Sequence, residues 1–564
     1  MPLPASPTIL LAAAGLALIT GGYLTVHVRR IWGLYFLMAL LAAAYCLWID
    51  APVVGRDGRH VWNNDPFAIS EQWLVLVFGL LSGIALFDTP RREQETSNTC
   101  GFLLFVIAGL MLVARSNDFL ALGISLDIIS LASMALRRDS RAPVEARPWR
   151  VTEECDRGEQ RTARIWSGWL ASGAMWLGIA LLANLLATTQ FDSLRLVLTE
   201  SYEPGAEQGE IGTPSKLVLL AAGLIVMSLF ARTGLVPFHL DWCAGTRYRS
   251  VGSSGFTMLL GQLTGSIALA RLCGSVFVGL GQSLTVLMIV VSLTTFGVAG
   301  VAAVRGLSPG SRSVPRWLAS MILLQSAWLV VGLMVLANEL ENPGIRWGAF
   351  PGHNESTGLF VFMQLAVVLA GGGICWSLAH LSRADRGIEF AEDLKGLRHF
   401  APVAAFAMLI SLASLVGLPL TAGYWTRWQL LLAGHNLHIK SNSSIFIPHA
   451  AVRFTILSGT VATLVVAGAI IRLVREMFFE SPLARPAPLG GRGPLIAGAI
   501  AAAGTLAIGF APQMILSPLR TIQAPRVMTP RIPQRGSGKN HSAFRRQSGF
   551  PRHYGRIINR GKIS

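Results

Sequence analysis

The chain has 564 residues, of which 52% are hydrophobic and only 14% charged. Apolar runs of about twenty residues recur along it, the length a helix needs to cross a hydrocarbon core of roughly 30 Å, and no strand pattern competes, so the expected fold is an all-α polytopic membrane protein. The formal charge is +17, but residues 524–564 alone hold ten Lys or Arg and no acid; that Pro-, Gly- and Ser-rich stretch reads as a basic, disordered tail outside the helical bundle, with no nucleic-acid partner expected.

The first apolar run, 9–28, has no basic segment before it, is too long for a signal core and ends at Arg29 and Arg30, so it reads as a retained span. Further spans are expected at 31–48, 71–87, 100–114, 118–136, 164–187, 216–240, 254–273, 280–304, 316–336, 358–381, 400–433, 452–479 and 494–516. About fourteen transmembrane helices result, forming one bundle over 1–523 with its central part near 100–480. Basic residues cluster after odd-numbered spans: Arg29 and Arg30, the stretch 137–164, Arg247 and Arg249, and Arg305, Arg312 and Arg316. Those loops should be cytoplasmic. Both ends of the chain would then face outward, which sets the basic tail against the same rule.

Within the fifth span, Asp127 is a single acid in the middle of an apolar helix, with Ser125 a candidate hydroxyl partner. An intramembrane carboxylate is a functional candidate, and a cation is its natural counterpart. The seventh span supplies one: in LFARTGLVPFHLDW, 229–242, Arg232 precedes Pro237, and His239 lies two residues past it. Proline removes a backbone donor, so the freed carbonyl needs another partner or a water-filled cavity. A second interrupted segment, SLVGLPLTAGYWTRW at 414–428, carries Gly417, Pro419 and Gly423 and then Arg427. A pair of broken helices at corresponding places in two halves is the pattern of inverted repeats, here two of five helices each.

The six cysteines, Cys46, Cys100, Cys155, Cys243, Cys273 and Cys375, lack the close spacing of a zinc or iron–sulfur ligand set. No Gly-rich phosphate loop follows a strand. His435 and His438 are three residues apart in an expected loop without further ligands nearby, so no metal site is expected there.

On these residues the chain resembles the antiporter-like membrane subunits of respiratory complex I, most closely the subunit N group of bacterial NADH:quinone oxidoreductases. Asn117 and Asp118 match the family's start of the fifth span, and Asp127 takes the place of its glutamate. Val236, Pro237, Phe238 and His239 match intact, with Arg232 at the family's lysine position. Gln262 falls at a second lysine position on the eighth span, and Gln325 at a histidine position on the tenth. Glu392, Asp393, Leu394, Gly396 and Leu397 repeat a family run ahead of the twelfth span, where Arg427 replaces a further lysine.

The resemblance implies a multi-pass protein of the cell inner membrane, partnered by other membrane-arm subunits and the bilayer. It implies no cofactor in this chain, with NADH, flavin, iron–sulfur clusters and quinone in partner subunits. It also implies a proton path through Asp127, Arg232, His239, Gln262, Gln325 and Arg427. Guanidinium and amide groups do not exchange protons as lysine and histidine do, so the relay would be an altered one. A cation/proton antiporter and a membrane scaffold without conduction are the alternatives.

Overall fold

The computed structural model describes residues 6–24, 29–50, 61–62, 64–86, 93–139, 153–200, 216–239, 251–277, 281–306, 313–341, 355–381, 391–436, 449–481 and 491–515. All belong to one compact unit, Met1–Ala524. The basic tail, the greater part of the Arg-rich loop after the fifth span, Cys243 and His438 lie outside the described residues, as do the side chains of Cys155 and His435.

The described chain is helical, with isolated β-bridges between Trp62 and Ser116 and between Asp118 and Gln190. In order the helices are α1 (Ser6–Leu24), α2 (Arg29–Asp50), α3 (Pro66–Leu86), α4 (Glu93–Arg115), α5 (Phe119–Asp139), α6 (Glu153–Leu186), α7 (Phe191–Glu200) and α8 (Lys216–Thr233). They continue as α9 (Val251–Ser275), α10 (Gly281–Gly306), α11 (Val314–Glu341), α12 (Glu355–Leu381) and the short α13 (Leu397–Phe400). The last four are α14 (Pro402–Val416), α15 (Ala422–Asn436), α16 (His449–Phe479) and α17 (Arg492–Phe510).

Twelve of these contain a stretch long and apolar enough to cross a membrane. The expected fourteen differs for two reasons. The apolar part of α1, Pro7–Gly22, falls short of that length, and the expected span 400–433 divides into α14 and α15 around its Gly and Pro residues.

The bundle is organised around α11, in which every residue from Trp317 to Ala337 is buried. Such a helix is apolar all round because it meets protein on every side. By contrast, α16 exposes Leu457, Val461, Leu464 and Ile471, and α5 exposes Leu120, Ile124, Leu131 and Met134. Both sets follow a three- and four-residue spacing, so each forms one outward stripe.

The start of α5 shows how the Asn117–Asp118 pair fixes the bundle. Asp118 Oδ1 accepts from the Leu120 amide at 2.7 Å, capping the helix. Its Oδ2 accepts from Thr189 Oγ1 at 2.9 Å, and Asn117 Nδ2 donates to Asp192 Oδ2 at 2.9 Å, tying this cap to the entry of α7. Arg271 on α9 completes the joint, donating through Nε to Ser116 O at 2.8 Å and pairing with Asp65 at the start of α3. The later run 392–397 does equivalent work: Gly396, in the left-handed region at φ 66°, donates its amide to Glu476 O at 3.1 Å, and Leu394 and Leu397 are buried.

Candidate functional site

The first break follows α8. Gly234 takes φ 73°, the Val236–Pro237 peptide is cis, and Leu235 N closes the helix on Phe230 O at 3.1 Å. Glycine is required there because a left-handed residue with a Cβ is disfavoured. The Thr233 carbonyl accepts from Ser326 Oγ on α11 at 3.3 Å, and the Val236 amide donates to Thr295 Oγ1 on α10 at 3.3 Å. Groups freed by the proline are thus met by hydroxyls on neighbouring helices.

One residue before Thr233, Arg232 reaches across to α5 and α6. Its Nη2 lies 3.3 Å from Asp127 Oδ1 and donates to Ser172 Oγ at 3.0 Å, while Nη1 donates to Leu126 O at 3.1 Å and Ser130 Oγ at 2.5 Å. Asp127 is further held by Ser172 Oγ at 2.8 Å and Trp176 Nε1 at 2.8 Å. The expected ion pair therefore exists. The expected hydroxyl partner does not: Ser125 Oγ donates to Ala121 O at 2.7 Å, one turn back on its own helix, and Ser172 on α6 takes that role. Asp127 remains 33% exposed, in register with the outward stripe of α5, whereas Arg232 is 10% exposed.

The second break separates α14 from α15. Gly417 (φ 83°) and Leu420 (φ 70°) are left-handed on either side of Pro419. Gly423 packs so tightly on α14 that a Cβ there would stand 1.8 Å from Ser414 O, and its amide donates to Ser414 Oγ at 3.1 Å. Arg427 lies back over the break. It donates to Leu415 O and, at 2.8 Å, to Thr463 Oγ1 on α16, and its guanidinium carbon lies 5.2 Å from the ring centroid of Trp328 on α11. Among the described residues no carboxylate comes within ion-pair distance, so a carbonyl, a hydroxyl and an aromatic face hold this cation. Gln325 Nε2 donates to the same Leu415 carbonyl at 2.9 Å. A small cavity lies here, lined by Gln325, Trp328, Thr426 and Arg427 among others.

The six expected path residues divide. Asp127 and Arg232 form one cluster at the first break, Gln325 and Arg427 a second at the other, and Ser326 links the two through Thr233. Gln262 is buried on α9 with neither amide atom hydrogen-bonded, and His239 lies beyond the first break with Nδ1 lacking a partner. Among the described residues neither is hydrogen-bonded to either cluster. Ser172, Trp176, Ser326, Trp328 and Thr463 belong to the site although they are ordinary residues of apolar helices in the sequence.

Two broken helices thus pack about a buried central helix, each break carrying a basic residue. Residues 350–451, which include the second break, match the family described as NADH:quinone oxidoreductase/Mrp antiporter, TM. The chain is 24% identical over 467 residues to NADH-quinone oxidoreductase subunit N of Chloroflexus aggregans, covering 82% of this chain and 85% of that protein. A chain of respiratory complex I from Thermus thermophilus has the same fold, with TM-score 0.67 at 20% identity over 91% of this chain and 99% of that one. A chain of the Mrp complex of a Dietzia species matches with TM-score 0.69 at 17% identity, covering 93% and 97%. The chain is thus similar to antiporter-like membrane subunits of the complex I type, subunit N among them.

Proposed function

We propose that the chain is the subunit-N component of a proton-translocating NADH:quinone oxidoreductase in a bacterial inner membrane, with other membrane-arm subunits as its partners. It carries no redox group of its own in this reading; flavin, iron–sulfur clusters and quinone belong to partner subunits. The observation that carries the proposal is the Asp127–Arg232 pair at one helix break together with Arg427 at the other, connected through α11. Charges at membrane depth are costly enough that they mark pathways.

The relay is an altered one. Arg232 and Arg427 hold fixed charge and shape the field, Gln262 and Gln325 orient water, and Asp127 and His239 are the groups on this axis able to exchange a proton.

The first test is to solubilise native membranes in mild detergent and follow this chain. Co-migration with iron–sulfur and flavin subunits that reduce quinone with NADH is expected. Migration alone, or only with other transporter-like chains, would replace the proposal with a cation/proton antiporter. Arg427→Lys in the assembled complex separates conduction from scaffolding: faster proton uptake is expected if a fixed charge restrains a working path, and no change would reduce this break to packing.

A further inference from the structure

A second buried carboxyl lies away from the two breaks. Glu71 stands in the second turn of α3 with no exposed surface, and it faces the Gln364 amide of α12, which in turn meets Ser266 of α9. With the Gln364 amide of α12 turned nitrogen-first, it donates to the two Glu71 oxygens at 2.8 and 2.5 Å, and its oxygen accepts from Ser266 Oγ of α9 at 3.0 Å. With the amide turned the other way, its nitrogen donates to Ser266 Oγ at 3.0 Å while Ser266 donates to Leu263 O at 3.1 Å. The amide oxygen then faces the carboxyl, which makes a hydrogen bond only if Glu71 carries a proton. Each orientation of Gln364 is therefore complete for one protonation state of Glu71. Such two-way matching is absent from the Asp127 site, where both oxygens meet obligate donors.

The charged groups on the elements packed around Glu71 are engaged elsewhere. Arg271 is held by Asp65 and Ser116 O, His380 on α12 by Gly491 O, and Arg115 on α4 and Arg492 on α17 have partners of their own. The side chains of Arg29, Arg30 and Asp50 on α2, and of Glu93 and Glu95 on α4, are outside those described. Among the described residues none pairs with Glu71, and a buried ionisable group without a counter-charge neutralises.

Position adds direction. Asp65, 32% exposed, lies just before α3 and pairs with Arg271 near the end of α9; Glu71 and Ser266 lie between one and two turns further along these helices, and Gln262, one more turn along α9, is near that helix's middle.

We propose that Glu71 is a proton-exchanging site in which the Gln364 amide turns over with the proton. On release the O–H bond of the carboxyl breaks, the proton passes to water at the Asp65 end, and the amide swings its N–H onto the carboxylate; uptake reverses each step. Nothing in this depends on the redox assignment, so failure here and failure of that assignment are separate results.

The test is infrared difference spectroscopy of the purified full chain across pH, reading the carbonyl stretch of a protonated carboxylic acid. A titrating band that disappears in Glu71→Gln is expected. In Gln364→Leu, which keeps the acid but removes the swinging partner, the midpoint should move by about one pH unit, a tenfold change in proton affinity. A band that does not respond to pH, or one whose midpoint is unmoved in Gln364→Leu, would overturn the proposal. If Glu71→Gln does not fold, Glu71→Asp and Gln364→Leu carry the same decision.

Discussion

Gln325 and Ser326 are neighbours on α11, and each donates to a carbonyl at a different helix break: Gln325 to Leu415 at 2.9 Å, Ser326 to Thr233 at 3.3 Å. Successive residues of a helix point about 100° apart, so one turn of the buried central helix serves both broken ones. A shift of α11 by a fraction of a turn would disturb both breaks together.

Replacing Gln325 tests this bridge. In Gln325→Leu the Leu415 carbonyl keeps Arg427 as donor, so the loss should sit near the low end of the range for a buried hydrogen bond, about 1 kcal/mol. Thermal unfolding of the detergent-purified chain would measure it. Gln325→His would install a group that titrates near neutrality, and a new pH dependence of proton uptake between about pH 5 and 8 is expected. A pH profile identical to that of the parent would show that no proton passes this point.

The Asp127 site makes a sharper demand. Asn in its place must turn its oxygen to Trp176, whose indole only donates, and its nitrogen to Ser172, so the shape survives while Arg232 loses its counter-charge. Breaking a buried pair costs roughly 3–5 kcal/mol, but the one-third exposure of Asp127 lets water compensate, and about 1–2 kcal/mol is expected. The proton-to-electron ratio in proteoliposomes should fall. An unchanged ratio in a normally assembled complex would make the pair structural.

The breaks themselves were legible in the sequence because proline and glycine announce them, and the Asp127–Arg232 pair because two lone charges in apolar helices need each other. Their supporting hydroxyls were not. A serine or threonine in an apolar helix satisfies itself by donating to its own preceding turn, as Ser125 does to Ala121, Ser130 to Leu126 and Thr295 to Val291. Which of them also reaches a neighbour, as Ser172 and Ser326 do, depends on helix rotation that no local pattern records. Glu71 was hidden differently: one acid near the start of a span looks like a residue at the membrane surface, and only the packing of α9 and α12 buries it.

Glycine substitutions should separate the break from ordinary helix. Gly423→Ala would drive a methyl into the Ser414 carbonyl, a backbone group that cannot turn aside, and a cost of about 3 kcal/mol or more is expected. Gly297 on α10 has open space around it, so Gly297→Ala should be neutral or gain about 0.5–1 kcal/mol from helix preference. Melting temperatures of the two variants that coincide would contradict the crossing geometry at the second break.

Between α12 and α13, Lys395 Nζ lies 2.9 Å from Glu480 Oε2, and that bond raises the lysine above its ordinary range. A raised lysine stabilises the fold fully below its unfolded value, and the contribution disappears as pH climbs through the folded one. Lys395→Met should therefore lower stability at neutral pH and remove the further fall on the alkaline side, leaving no difference from the parent above the folded lysine's range. Equal loss at neutral and strongly alkaline pH would assign the effect to packing.

The last helix has a consequence for how the protein is made. Trp425 donates its indole N–H to Gly509 O at 2.8 Å, and Gly509 lies against the Leu420 carbonyl so closely that a Cβ would stand 2.1 Å from it. The indole and the carbonyl that receives it are 84 residues apart in the chain. During synthesis the broken segment must enter the bilayer before its cover has left the ribosome. Until α17 arrives, its exposed backbone has to borrow partners from water, lipid headgroups or the insertion machinery, and a ribosome stalled in that interval would hold an open polar seam in the membrane.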